Sequence, residues 1–82
     1  MKRDVFSKSL DVTGHKCPLP VLRVRRLLET MPDGAVLKVM ATDPMTQIDI
    51  PHFCQETAHD LLTMTAEGDI LYFLIKKTKS VE

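Results

Sequence analysis

Polar and apolar residues alternate with a period of two at Ser9-Leu10-Asp11-Val12, which predicts a short strand ending at Thr13-Gly14. The rhythm then changes. From Pro18 to Met31 the apolar residues Val21, Val24, Leu28 and Met31 recur at spacings of three and four, and Leu27 widens the stripe. Arg23, Arg25, Arg26 and Glu29 mostly fall outside it. This pattern predicts an amphipathic helix of about three to four turns. Met31-Pro32-Asp33-Gly34 stops the helix, with Gly34 free to take the positive φ of a tight turn.

Alternation returns from Ala35 to Ala41, where Leu37, Val39 and Ala41 share one face of a strand and Val36, Lys38 and Met40 the other. At Thr42-Asp43-Pro44, Asp43 has the chemistry to cap a helix and Pro44 to occupy its first position. The segment to Ala58 is helical in composition, with Ile50, Phe53, Cys54, Thr57 and Ala58 as its expected buried side. Pro51 interrupts it, so the pattern allows either one kinked helix or a new helix starting near Ile50. Leu61 to Ala66 reads as a strand with Leu62, Met64 and Ala66 on one face, and Glu67-Gly68-Asp69 as a hairpin turn. Ile70 to Lys77 is the most hydrophobic run and so the expected central strand. Residues 1–7 read as a loose polar arm and 78–82 as a fraying tail.

The order is β-α-β-α-β-β. Right-handed crossovers put both helices on one face of a four-stranded mixed sheet, an α+β two-layer sandwich. With 82 residues the chain is expected to be one domain over 1–82, ordered over about 9–77, and nothing reads as a repeat or linker.

Composition narrows the function classes. The chain is 44% hydrophobic and 27% charged, as in ordinary globular proteins, and eleven basic residues balance eleven acidic ones. Net charge therefore gives no argument for a nucleic acid or a membrane partner. Met1 to Leu10 lacks the apolar core of a secretory signal, and no run is long enough to span a bilayer, so the expected location is the cytoplasm. Two cysteines, Cys17 and Cys54, are too few for a disulfide framework, and both are expected as free thiols. Neither they nor His15, His52 and His59 show metal-ligand spacing, so no metal is expected.

The candidate chemistry lies in Gly14-His15-Lys16-Cys17-Pro18-Leu19-Pro20. Two prolines at i, i+2 suit a first helical turn, which would set Cys17 at or just before a helix N-terminus. Unpaired backbone N–H groups there favour thiolate over thiol, with pKa values of about 3.5–7.5 against about 8.5 unperturbed. Cys17 is thus expected to be the reactive thiol, and Cys54, inside an apolar helix beside Phe53, a packed structural one. His15 reads as an exposed loop residue rather than a base for Cys17, and His52 and His59 as surface residues. Lys16, Arg23, Arg25 and Arg26 form a basic cluster that reads either as a solvated helix face or as a docking surface for acidic partners. Phe6, Phe53, Tyr72 and Phe73 are not interleaved with basic residues, which argues against direct nucleic acid binding.

Two motifs give the chain a family resemblance. Leu10-Asp11 with Gly14 and Cys17-Pro18-Leu19-Pro20 resembles the first strand-to-helix signature of the TusA/SirA-type sulfur carriers. Asp43-Pro44 with Asp49-Ile50-Pro51 and Phe53-Cys54 resembles their second-helix signature, and the resemblance covers roughly residues 9–77. It implies a sulfurtransferase-type carrier rather than a stand-alone enzyme, with no cofactor. Sulfane sulfur would arrive on Cys17 as a persulfide from a cysteine desulfurase or a rhodanese-like donor. It would leave to an acceptor protein in tRNA thiolation, sulfur oxidation or cofactor assembly. Pro18 and Pro20 would set the cap geometry, and Asp11 and Gly14 would shape the presenting loop. Leu19 and Ile48 differ from the tRNA-thiolating member and His15 replaces a residue usually apolar in the family, so the resemblance names the chemistry and no pathway. The expected carrier is a monomer. The competing class is a non-enzymatic RNA- or protein-binding regulatory module on the same fold, and a third is a redox protein pairing Cys17 with Cys54.

Overall fold

The computed structural model describes residues 6–78, in the order β1 (Lys8–Val12), α1 (Leu19–Glu29), β2 (Val36–Ala41), α2 (Thr46–Thr57), β3 (Asp60–Glu67) and β4 (Ile70–Lys76). One four-stranded sheet runs β1-β2-β4-β3. β1 pairs parallel with β2, while β4 pairs antiparallel with both β2 and β3. The strands joined through a helix, β1 to β2 and β2 to β3, are therefore parallel, as α-helical crossovers require. β4 is an interior strand, as its apolar content predicts.

Both helices cover one sheet face. Leu37, Val39 and Ala41 of β2 lie opposite Ile75, Phe73 and Leu71 of β4, and these six form a single cluster with Val12, Val24, Leu28, Ile50, Phe53 and Cys54. The alternation of β2 and the 3.6-residue stripe of α1 thus converge on the same core. Pro20 is buried with Val24 and Leu28, so it packs as well as starting the helix. At the other end of α1, Lys77 Nζ donates to the carbonyls of Leu28 (2.7 Å) and Met31 (2.9 Å), placing a cation on the negative helix end. Gly34 takes φ 87° in the turn before β2.

α2 is one helix from Thr46 to Thr57 with Pro51 inside it, which resolves the choice the pattern left open. Asp43 begins the turn ahead of it: its carboxylate accepts from the Met45 N–H at 3.1 Å and its carbonyl from the Thr46 N–H at 3.0 Å. Pro44 therefore sits in that turn and not in the first helical position. Ala58 is exposed, against expectation, because it terminates α2 in the left-handed region at φ 66°. A Cβ there carries a steric cost of roughly 1–2 kcal/mol that glycine avoids. Ala58→Gly is accordingly expected to stabilise the protein by about 0.5–1 kcal/mol, read as a higher urea midpoint at constant slope.

β3 departs from strict alternation. Leu61 faces Ile75, but a bulge between Leu61 and Thr63 shifts the register, so Met64 and Ala66 face Phe73 and Leu71. The helix-side set is Leu61, Met64 and Ala66, and Leu62 is displaced from the expected face. As an edge strand, β3 leaves both Leu62 and Met64 exposed. The expected arm up to residue 5 and tail from residue 79 lie outside the described residues. Within them, Ser7 N–H donates to Val36 O at 2.7 Å, Lys38 Nζ sits 5.2 Å from the Phe6 ring, and Thr78 is tied to Ala58 and His59. Among the described residues no helix is long and apolar enough to cross a membrane.

Candidate functional site

The loop from β1 to α1 is held by side chains at three points. Asp11 Oδ1 accepts from the Thr13 N–H (2.9 Å) and hydroxyl (2.6 Å), and these bonds hold its carboxyl below the usual carboxylate range. Gly14, at φ 83°, donates its N–H to Thr42 Oγ1 at 2.9 Å, tying the loop to the end of β2. The Cys17 N–H donates to Asp43 Oδ2 at 2.6 Å. That bond, followed by the one from Met45, lowers the Asp43 carboxyl, and Lys16 adds to the effect. The carboxylate of Asp43 therefore clamps the cysteine loop and the start of α2 together.

α1 begins at Leu19 and its N-cap position is Pro18, joined to Cys17 by a cis peptide bond. Cys17 is exposed, and the Leu19 and Leu22 N–H groups at the start of α1 donate to the Lys16 and Pro18 carbonyls at 2.9 and 3.2 Å rather than to its sulfur. Cys17 Sγ instead donates to Asp49 Oδ2 at 2.8 Å, a group in the first turns of α2. This overturns the expectation of a thiol acidified by the helix dipole. The hydrogen bond to Asp49 pushes the Cys17 pKa up, followed by desolvation and by the charges of Asp49 and Asp43. A hydrogen bond donated by S–H stabilises the protonated form, and two carboxylates oppose a third anion.

Beside the thiol lies a groove of about 250 Å³ between α1 and α2, lined by Cys17, Pro18, Val21, Arg25, Asp49, His52, Phe53 and Glu56. Arg25 lies over the Phe53 ring, its guanidinium carbon 5.5 Å from the centroid. Arg23 and Arg26 are elsewhere, on the β1 side of α1 with Leu10, Leu27 and Thr30. The basic cluster of the sequence is thus divided: Arg25 shares the groove with Cys17, Lys16 lies near Asp43, and the other two arginines face away. Leu19, Leu22, Met45 and Ile48, all near the starts of the two helices, are exposed. The fold also brings cations and aromatics together where the sequence shows no interleaving, since Lys38 Nζ lies between the Phe6 and Tyr72 rings, 5.5 Å from the latter.

Cys54 is only 3% exposed, and burial pushes its thiol up to about 11. It is a packed, unreactive group. His52 is exposed and lies 3.7 Å from Glu56. His59 is half-buried, with Phe53 beside it and its Nδ1 accepting from the Thr78 N–H at 3.2 Å. Burial, and then the charge of Lys77, lower its pKa from 6.5. The unfolded chain therefore binds more protons here, so stability is complete above about pH 6.5 and falls as pH drops towards the folded value. The urea midpoint is expected to drop between about pH 7.5 and 5, and His59→Gln to flatten that slope.

The sequence singled out Cys17, Asp11 and Gly14, which the fold places in one loop, but assigned Asp43 only a helix cap and Asp49 no task at the sulfur. Their one signal was the second motif, which holds both acids. Comparison with known proteins matches residues 8–77 to the family described as Sulfurtransferase TusA. The chain is 42% identical over 73 residues to the Sulfur carrier protein TusA of Allochromatium vinosum, covering 89% of this chain and 96% of that one. It is 43% identical over 74 residues to the protein of the same name from Pseudomonas entomophila, covering 89% and 92%. Its fold matches the crystal structure of a SirA-like protein from Desulfitobacterium hafniense with a TM-score of 0.77 at 17% identity, covering 89% of this chain and all of that one.

Proposed function

The chain belongs to the TusA family of sulfurtransferases, and on that premise we propose that Cys17 is the group that takes up sulfur as a persulfide and passes it on. The protein is a sulfur carrier, working between a donor and an acceptor in a sulfur relay. The observation that supports Cys17 as the carrying group is its exposure at the mouth of the α1–α2 groove, against a Cys54 sealed in the core. Two proteins exchange sulfur only if their sulfur atoms touch. Cys17 meets that requirement as it stands.

In this reading the donor is a cysteine desulfurase or a rhodanese-like protein, and the acceptor another thiol protein. One S–S bond is exchanged for another, so the transfer itself needs no redox cofactor. Pro18 forms one wall of the groove, Pro20 anchors α1 in the core, and Asp11 and Gly14 hold the presenting loop. Lys16 and Arg25 are the basic residues placed to meet a docked partner. A single copy carries all of these groups, so the carrier works as a monomer, in the reducing cytoplasm that keeps Cys17 a thiol.

Incubation with a cysteine desulfurase and L-cysteine tests the reading. The intact mass should rise by one sulfur atom, the gain should vanish with reductant, and peptide mapping should place it on Cys17. No gain from the desulfurase or from a rhodanese-type donor overturns it.

A further inference from the structure

We propose that Asp49 selects the partners of Cys17: it holds the free carrier's thiol in its protonated form, and sulfur moves only when a docked partner presents a cation to that carboxylate. The inference rests on the carrier reading above and adds to it the chemistry that a partner must supply. Its basis is geometric. Asp49 Oδ2 lies 2.8 Å from the reacting sulfur itself, and the thiol is the donor in that bond. A second carboxylate, Asp43, holds the N–H of the same residue at 2.6 Å.

Other charged groups near the sulfur do not relieve this arrangement. Arg25 from α1 and His52 and Glu56 from α2 line the groove with Cys17, and Lys16 lies in its own loop. Arg25 is engaged over Phe53, His52 lies beside Glu56, and Lys16 interacts with Asp43. None of them takes the Asp49 carboxylate, whose partner is the thiol. A partner lysine or arginine paired with Asp49 would remove its hold on the proton and neutralise the charge opposing a thiolate.

The exchange then balances without an oxidant. Cys17 Sγ forms a bond to the outer sulfur of the donor's cysteine persulfide, and the donor's S–S bond breaks. Its electron pair goes to the donor cysteine sulfur, which takes up the proton leaving Cys17. The products are a Cys17 persulfide anion and a donor thiol, and the transferred sulfur remains sulfane throughout. Having no proton to donate, the new anion is repelled by Asp49 and Asp43. Its outer sulfur is thereby turned away from α2, towards the next protein.

The proposal predicts opposite effects on two rates. In Asp49→Asn the charge is lost while an acceptor oxygen remains. Alkylation of Cys17 in the free carrier by iodoacetamide, followed on the Cys17 peptide, should then be roughly three- to tenfold faster near neutral pH, with its midpoint moved to lower pH. Loading by a cysteine desulfurase with L-cysteine should be slower in the same variant. Added salt should slow loading of the unaltered chain more than that of the variant. Asp49→Glu should restore both behaviours in part, and matching thermal melts establish that the variants fold. Alkylation indifferent to Asp49, or loading that speeds up alongside alkylation, overturns the proposal. An unaltered chain that takes up no sulfur strikes the carrier reading instead.

Discussion

Cys17→Ser is expected to take up no sulfur from any persulfide donor, while Cys54→Ala loads as fully as the unaltered chain. A hydroxyl has nearly the thiol's shape but forms no S–S bond, so the loss is complete rather than partial. The fold should not notice the change, because Cys17 is exposed and its loop is held through backbone N–H groups and other side chains. Surface substitutions of this kind stay within roughly 0.5 kcal/mol. Cys54 needs a different control. It lies in the core at 3% exposure, so serine there would bury a hydroxyl at a cost of about 1–3 kcal/mol, whereas alanine buries nothing polar. Intact mass with and without reductant reads both variants. Residual loading of Cys17→Ser would move the carrying group elsewhere in the chain.

The parts of this molecule that were legible in its sequence are those set by local periodicity. The stripe Val21, Val24, Leu28 and Met31 and the alternation of Leu37, Val39 and Ala41 mark surfaces that must be buried, and all of them lie in one core, with the half-buried Val21 packed against its edge. β3 was harder because an edge strand carries little such constraint. With Leu62 and Met64 both exposed, no burial pattern records the bulge that displaces Leu62. The thiol shows a different limit. The prolines correctly mark a helix start, yet the group that governs the sulfur lies 32 residues away, at Asp49. A helix dipole is read from neighbours in sequence, while a carboxylate delivered by another helix is read only once the crossover is built. Local reasoning therefore pointed to an acidified Cys17 thiol, whereas the Asp49 hydrogen bond raises its pKa.

The largest effect on stability is expected at Phe73. It is fully buried on β4, facing Val39 on one side and Met64 on the other, beneath both helices. Truncation to alanine there removes contacts from the centre of the core and leaves a cavity that the flanking interior strand β2 and the helices cannot close. Such changes cost about 3–5 kcal/mol. Chains of this size lie towards the low end of the roughly 5–15 kcal/mol that holds domains folded, so Phe73→Ala should lose most of the margin. Its urea midpoint should fall sharply with the slope unchanged. Tyr72, the preceding residue, points to the sheet face without helices, where Lys38 reaches its ring. Removing that ring forfeits a cation–aromatic contact of about 0.5–1 kcal/mol and some packing, so Tyr72→Ala should cost far less than Phe73→Ala. Equal losses at the two neighbours would mean that the second face of the sheet is covered in solution.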